Sequence, residues 1–528
     1  MKLCTVEDYA VSVKLAHFMS PEVGSSLMWF LKRWCLSYLL PVENYYQELS
    51  PTLIGCLGKD TDCAKVVVSF VIQKIQSNLF YFQSEPILLR DTVDLFCDIV
   101  CVKQKSTYIV KTDSMRNLIR LHEQMEPGTL PPNILRGLCK GFMLAGVALQ
   151  DPQDMNSYYE MVLTPIQQKF KNLLSQENFT RICHEEKVQK IVIDILECFI
   201  GIAKGSVMAS VEILFHFLAP MLSELPVFLT VYSNYQVIVQ LILELFGQCA
   251  KYMLCYLTPL DSKRLYESSL ATVQAYAKCN AGRFSSEAFN EESNFQDLAL
   301  VLDLLTFILS KDCIDLCLYE NNEEVTITAS DVSLFGLNFI MPLMTLDLLK
   351  FPSLCAQYYR LLVLINDIYP EKICNLPPEL LNTLLRSVEL GLTNFGSDIV
   401  QACLDFVQGM ATYTFRHNML NTQFSQGLKP FLKLLMDLTL SHQINSDLIS
   451  SASTCIYALI CCYPEEYQML VQSLIQMQTD HMISERLAAA FTNLMNNITM
   501  TCERQPKLRF RENFDKFIAN VHGFLLVK

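Results

Sequence analysis

The chain has 528 residues, 54 acidic against 41 basic, with a net charge of −13 and a pI near 5.2. It lacks the basic stripe that a nucleic-acid binder uses to displace counterions from phosphates. Apolar residues make up 51% and charged residues only 18%, so much of each amphipathic element must be buried against a neighbour. The acidic excess suits a partner with a basic surface; it would also serve solubility alone.

Met1 to Ala10 carries Glu7 and Asp8 and has no apolar core segment, so it does not read as a signal peptide. The 21 scattered cysteines are then expected to stay reduced, mostly as small core residues. The sequons Asn178-Phe179-Thr180 and Asn497-Ile498-Thr499 carry no weight without secretion.

Apolar residues recur at spacings of three and four along the chain, the period of an amphipathic helix. Leu27, Phe30, Leu31, Trp34 and Tyr38 form the first such stripe. Leu88, Leu89, Thr92, Leu95, Phe96, Ile99 and Val100 form the second. Val188, Ile191, Val192, Ile195, Leu196 and Phe199 follow, then Ile238, Leu241, Ile242, Leu245 and Phe246. Ser20-Pro21, Asp151-Pro152, Thr258-Pro259 and Tyr463-Pro464 place proline where a first helical turn tolerates it. Gly205, Asn280 and Gly391 mark expected helix ends. Gly137, Gly141 and Gly146 share a predicted helix, where close helix packing explains them better than a nucleotide loop.

A membrane span needs roughly 20 mostly apolar residues. Leu225 to Leu243 comes closest but contains Pro226, Gln236 and Gln240, and its Ser233-Asn234 pair predicts a break. Leu448 to Tyr463 is shorter and rich in serine. No membrane insertion is expected. No convincing period-two strand exists; the best candidate, Val325 to Thr328, is four residues in an acidic loop.

The expected fold is therefore all-α: one continuous HEAT- or armadillo-like superhelix over residues 1–528. Loop insertions are expected at 280–294 and 319–330. Hairpins of about 40–47 residues would give about 11 to 13 of them. The two loops are acidic, and Glu291, Glu292, Glu323 and Glu324 are the candidate cargo-binding residues.

No catalytic, cofactor or metal set is legible. Gly58-Lys59 is followed by Asp60, so no phosphate loop forms. There is no C-x-x-C and no H-E-x-x-H. Cys97 and Cys101, like Cys313 and Cys317, could share a helix face, but neither pair has further ligands nearby in sequence. Cys183 and His184 are adjacent, and neighbours on a helix do not face each other. Glu291-Glu292 and Glu465-Glu466 lack an apolar pocket that would raise one carboxyl. His17, His216 and His522 read as core or surface residues.

Several blocks carry a resemblance. One runs from Thr328-Ala329-Ser330-Asp331-Val332 through Leu337-Asn338-Phe339-Ile340-Met341-Pro342-Leu343-Met344 and Asp347-Leu348-Leu349-Lys350-Phe351-Pro352 to Tyr369-Pro370-Glu371-Lys372-Ile373. Ser25 to Pro41 and the ending Asn520 to Lys528 agree with it in order. These resemble the late repeats of exportins, nuclear export receptors of the importin-β (karyopherin) family. The resemblance implies a HEAT-repeat superhelix that carries protein cargo through the nuclear pore with GTP-bound Ran, shuttling between nucleus and cytoplasm. It implies contact with nuclear pore proteins, and as cargoes translation initiation factor 5A, a basic-faced protein, and Smad3. Receptors of this family are longer, and their amino-terminal repeats form the main Ran-binding arch, so the chain is expected to be a carboxy-terminal part. The competing reading is an armadillo-type scaffold without a Ran cycle.

Overall fold

A computed structural model describes residues 2–15, 20–39, 50–58, 61–101, 107, 109–176, 179–280, 292–315 and 327–522. Among them there is no strand, and every regular element is helical. The chain divides into two compact units, residues 1–281 with 314–328, and residues 282–313 with 329–528.

In the first unit the helices are α1 (Lys2–Ser12), α2 (Pro21–Trp34), α3 (Pro51–Leu57), α4 (Asp62–Tyr81), α5 (Pro86–Val100), α6 (Asp113–Gln124) and α7 (Pro132–Gly146). They continue as α8 (Pro152–Leu174), α9 (Phe179–Ile182), α10 (Glu186–Lys204), α11 (Val211–Leu222), α12 (Leu225–Val231), α13 (Gln236–Tyr252) and α14 (Pro259–Asn280). The second helices of successive hairpins, α2, α5, α7, α10 and α13, pack side by side in one row. Their partners α4, α6 and α8 form a second layer across them.

The second unit repeats this arrangement. It contains α15 (Gln296–Asp315), α16 (Ala329–Ile340), α17 (Leu346–Leu349), α18 (Pro352–Ile368), α19 (Pro370–Cys374), α20 (Pro378–Asn394) and α21 (Ser397–Arg416). Then come α22 (Gln423–Leu428), α23 (Pro430–Leu440), α24 (Ile449–Cys462), α25 (Pro464–Gln476), α26 (His481–Leu494) and α27 (Arg504–Val521). Here α18, α21, α24 and α27 form the row. Stacked hairpins of this kind are a helical-repeat solenoid, in which each unit buries its apolar face on the next.

Local sequence explains the starts. Proline occupies the first turn of α2, α8, α14 and α25. Thr61, Thr112 and Thr422 accept a hydrogen bond from the backbone N–H three residues on, and Asp151 accepts from Gln153 N–H at 2.9 Å. Each such cap is worth about 1 kcal/mol. Gly205 caps α10, as its position predicts.

Small residues set how closely helices approach. A Cβ on Gly137 would lie 2.5 Å from Val93 Cγ1, and one on Gly141 would lie 2.4 Å from Phe96 Cε1. Gly146 accommodates the ring of Tyr159, whose hydroxyl donates to Met143 O at 2.9 Å. Gly391 is a correction: it lies inside α20 and does not end it. A Cβ there would meet Cys403 Sγ at 2.3 Å and Tyr359 Cε1 at 2.9 Å, so close packing, not termination, requires the glycine.

The second, third and fourth apolar stripes face the core as expected. The first does so only in part. On α2 the buried face is Gly24, Met28 and Leu31, continued by Cys35, while Phe30 and Tyr38 are 57% and 46% exposed. The face that packs is offset from the one the aromatic residues mark, and Leu31 lies on both.

Leu225 to Leu243 is broken between α12 and α13. Among the described residues no single helix is long and apolar enough to cross a membrane. Val325, within the one candidate strand, lies outside the described residues.

Candidate interaction surface

The rows of second helices carry polar ladders. Arg136 on α7 donates from Nε to Glu197 on α10 at 2.6 Å. Its Nη1 and Nη2 donate to Glu244 on α13 at 2.7 and 2.8 Å. Lys204 on α10 also reaches Glu244 Oε1, at 3.3 Å. Burial alone would lower the guanidinium's proton affinity, but the bonds and charges of Glu197 and Glu244 outweigh it and raise it. Glu197 keeps a raised carboxyl because burial outweighs the pull of Arg136. Lys32 on α2 pairs with Asp98 on α5 at 2.7 Å, extending the ladder along this unit. In the second unit Gln357 Nε2 on α18 donates to Asp303 on α15 at 3.0 Å, and Thr454 on α24 donates to Gln408 on α21 at 2.8 Å.

Carboxylates remain on these rows beyond the paired ones. Asp94 on α5, Asp367 on α18 and Asp405 on α21 are exposed. Asp367 is pushed up by partial burial and then by the charge of Asp405. Such like charges side by side raise the local negative potential.

Of the four loop glutamates, Glu291, Glu323 and Glu324 lie outside the described residues, as does most of both expected insertions. Glu292 is exposed at the head of the 3₁₀ turn Glu292–Phe295. Its Oε1 accepts from the Ser353 backbone N–H at 3.2 Å and from the Ser353 hydroxyl. It therefore caps the start of α18, where an anion is favoured by the helix dipole.

His184 stacks on Tyr235 at 5.7 Å between ring centroids, and adjacent Cys183 is buried. Glu466 pairs with Lys429 at 2.6 Å. His216 approaches Asp261 at 3.3 Å, and His522 faces the Thr439 carbonyl at 3.1 Å. Cys97 donates to Gly137 O at 3.4 Å, while Cys101 is exposed. His17 and Cys317 lie outside the described residues, as does the side chain of Cys313.

Sequence reasoning missed one constellation. His122, Cys139 and Cys198 are buried together, with their ligand atoms within 4.8 Å of one another. The two cysteines stand 17 and 76 positions from the histidine, so no local spacing announces them.

Stacked helical hairpins with polar ladders along one row define a helical-repeat protein, a class built for extended protein contacts. A family model described as Exportin-4 matches residues 5–528. Exportin-4 of Dictyostelium discoideum is 22% identical over 526 residues, 96% of this chain and 44% of that protein. Ran-binding protein 17 of Mus musculus is 20% identical over 551 residues, 97% of this chain and 49% of that protein. The human Ran-binding protein 17 is 27% identical over 194 residues, 33% of this chain and 18% of that protein. The chain belongs to the exportin-4 family. Exportins are transport receptors, not enzymes. The chain spans less than half the length of the relatives it matches most fully.

Proposed function

We propose that this chain is the carboxy-terminal, cargo-binding part of a nuclear export receptor that works with GTP-bound Ran and shuttles between nucleus and cytoplasm. The observation that carries this reading is the family match over residues 5–528. The repeat fold supports it, since a solenoid offers a long surface to a partner. The names of the Ran-binding protein 17 relatives support a Ran partner.

The cargo is a basic-faced protein. Translation initiation factor 5A is the first candidate, Smad3 the second, and nuclear pore proteins are the transit partners. The exposed carboxylates Asp94, Asp367 and Asp405 on the helix rows, with the net charge of −13, favour a positive surface. Residues 1–528 act as one repeat array, and Glu291, Glu292, Glu323 and Glu324 add secondary contacts from their loops. Exposed ion pairs contribute only about 0–1 kcal/mol each, so several act together.

The test is a pull-down with Ran locked in its GTP or GDP form, using a full-length relative as control. The control captures cargo only with the GTP form, and this chain alone binds Ran-GTP weakly. Tight, nucleotide-dependent binding by this chain alone would relocate the Ran surface. Cargo capture indifferent to nucleotide in both would favour a static scaffold.

A further inference from the structure

Three soft ligands from three separate helices converge in the first unit. His122 lies in the last turn of α6, Cys139 in the middle of α7 and Cys198 in the middle of α10. Their convergence follows from how closely α10 approaches α7. A Cβ on Gly201 would stand 2.4 Å from Arg136 O and 2.8 Å from Cys139 Cβ, so only glycine permits this approach. The approach sets Cys139 and Cys198 against each other. His122 reaches in from α6 with its ring against the edge of Phe142, centroids 5.6 Å apart.

His122 Nε2 stands 3.7 Å from Cys139 Sγ and 3.8 Å from Cys198 Sγ. A tetrahedral zinc ion, with Zn–S near 2.3 Å and Zn–N near 2.0–2.1 Å, holds nitrogen and sulfur about 3.6 Å apart. The protein alone thus sets both nitrogen–sulfur distances close to those a zinc ion imposes. All three residues are buried, at 8%, 0% and 5% exposure, and no pair of them is linked by a disulfide.

A cavity of about 50 Å³ opens beside the cluster, lined in part by His122, Cys198, Met125, Asp194 and Lys169. One water needs roughly 10–15 Å³ of such space. The cavity beside His122 and Cys198 therefore has room for a water, with the Asp194 carboxylate and Lys169 ammonium in its polar lining.

We propose that His122, Cys139 and Cys198 bind one zinc ion, with a water from the adjacent cavity as fourth ligand, and that the ion ties α6, α7 and α10 together. Binding releases two protons as the thiols become thiolates: Zn²⁺ and two R–SH give Zn(SR)₂ and two H⁺, and the complex of ion and two thiolates is neutral. That neutrality suits a buried site, because no net charge is left to desolvate. Thiolate and imidazole together select zinc or copper over magnesium and calcium. The competing account is two buried thiols that share weak hydrogen bonds with a histidine. Other buried thiols of this chain, such as Cys249, have no such cluster around them among the described residues.

The experiment strips metal from the reduced chain with a chelator and titrates it with zinc alone, then with cobalt(II) as a spectroscopic stand-in. The expected result is one zinc per chain, and with cobalt the intense near-ultraviolet thiolate-to-metal absorption and visible bands of a tetrahedral centre. Cys198→Ser and His122→Asn each weaken zinc binding at least about tenfold, while Cys249→Ser, a buried thiol on α13, leaves it unchanged. Circular dichroism of each variant checks folding, and the cobalt spectrum of the unaltered chain stands without any variant. Absence of thiolate–cobalt absorption in the unaltered chain overturns the proposal. So does a spectrum unchanged by Cys198→Ser, or retention of copper(I) where zinc is refused.

Discussion

Arg136 on α7 holds Glu244 on α13 through both terminal guanidinium nitrogens, reaching past α10, which lies between them in the row. The same guanidinium binds Glu197 on α10. One side chain therefore ties three successive hairpins. Glu197 is only 6% exposed, so removing Arg136 leaves an uncompensated carboxylate. Breaking such a pair costs about 3–5 kcal/mol when fully buried, and partial exposure of Arg136 and Glu244 reduces this. Arg136→Ala is expected to lose about 3 kcal/mol in denaturant unfolding. Glu197→Gln, which keeps an acceptor and removes the charge, is expected to lose less. A loss under about 0.5 kcal/mol for Arg136→Ala, the level of an ordinary surface change, would contradict the clamp.

That clamp was not legible in the sequence, and the reason is general. Helical period and caps are local signals, so α5, α10 and α13 were readable from their stripes, and α8 from Asp151-Pro152. Arg136 and Glu244 are 108 positions apart, and only the stacking of hairpins joins them. The same holds for His122 and Cys198, 76 positions apart. On α2 and the turn after it the local signal held only in part: Leu31 of the expected stripe is buried, but Phe30 and Tyr38 point outward and Met28, outside the stripe, packs in their place. Gly391 was misread because a glycine that ends a helix and one that admits a neighbour look identical in sequence.

Glycine substitutions separate packing from helix propensity. Gly141→Ala drives a Cβ to 2.4 Å from the Phe96 ring. Overpacking of this kind costs about 1–3 kcal/mol. Gly55 in α3 has nothing within 4 Å of the same atom. Gly55→Ala is expected to be neutral or stabilising by up to about 1 kcal/mol, the propensity difference. Thermal melts should show Gly141→Ala lowered and Gly55→Ala unchanged or raised; a stabilised Gly141→Ala would refute the close approach of α5 and α7.

Cys502 is the reactive thiol expected in the second unit. A hydrogen bond from Cys461 lowers its pKa to about 7, against the opposing effect of burial, with help from the charges of Arg416 and Lys507. Cys461 is driven upward by the same bond and by burial. Thiolate at Cys502 therefore predominates above pH 7 and is lost as pH falls through that value. Iodoacetamide followed by peptide mass spectrometry at neutral pH should label Cys502 faster than the more exposed Cys56. Its labelling rate should fall about tenfold per unit below that pKa. Preferential labelling of Cys461 would reverse the assignment within the pair.

A basic cargo is proposed to bind this chain directly, through its acidic surface. The most direct measurement is a titration of the chain with translation initiation factor 5A at rising salt, using a full-length relative with Ran-GTP as positive control. The Debye length shrinks from about 10 Å at 0.1 M salt to about 3 Å at 1 M. The predicted result is measurable binding to the chain that weakens steadily over this range. A control that holds the factor while this chain binds nothing at low salt, or binds equally well at high salt, would contradict the claim.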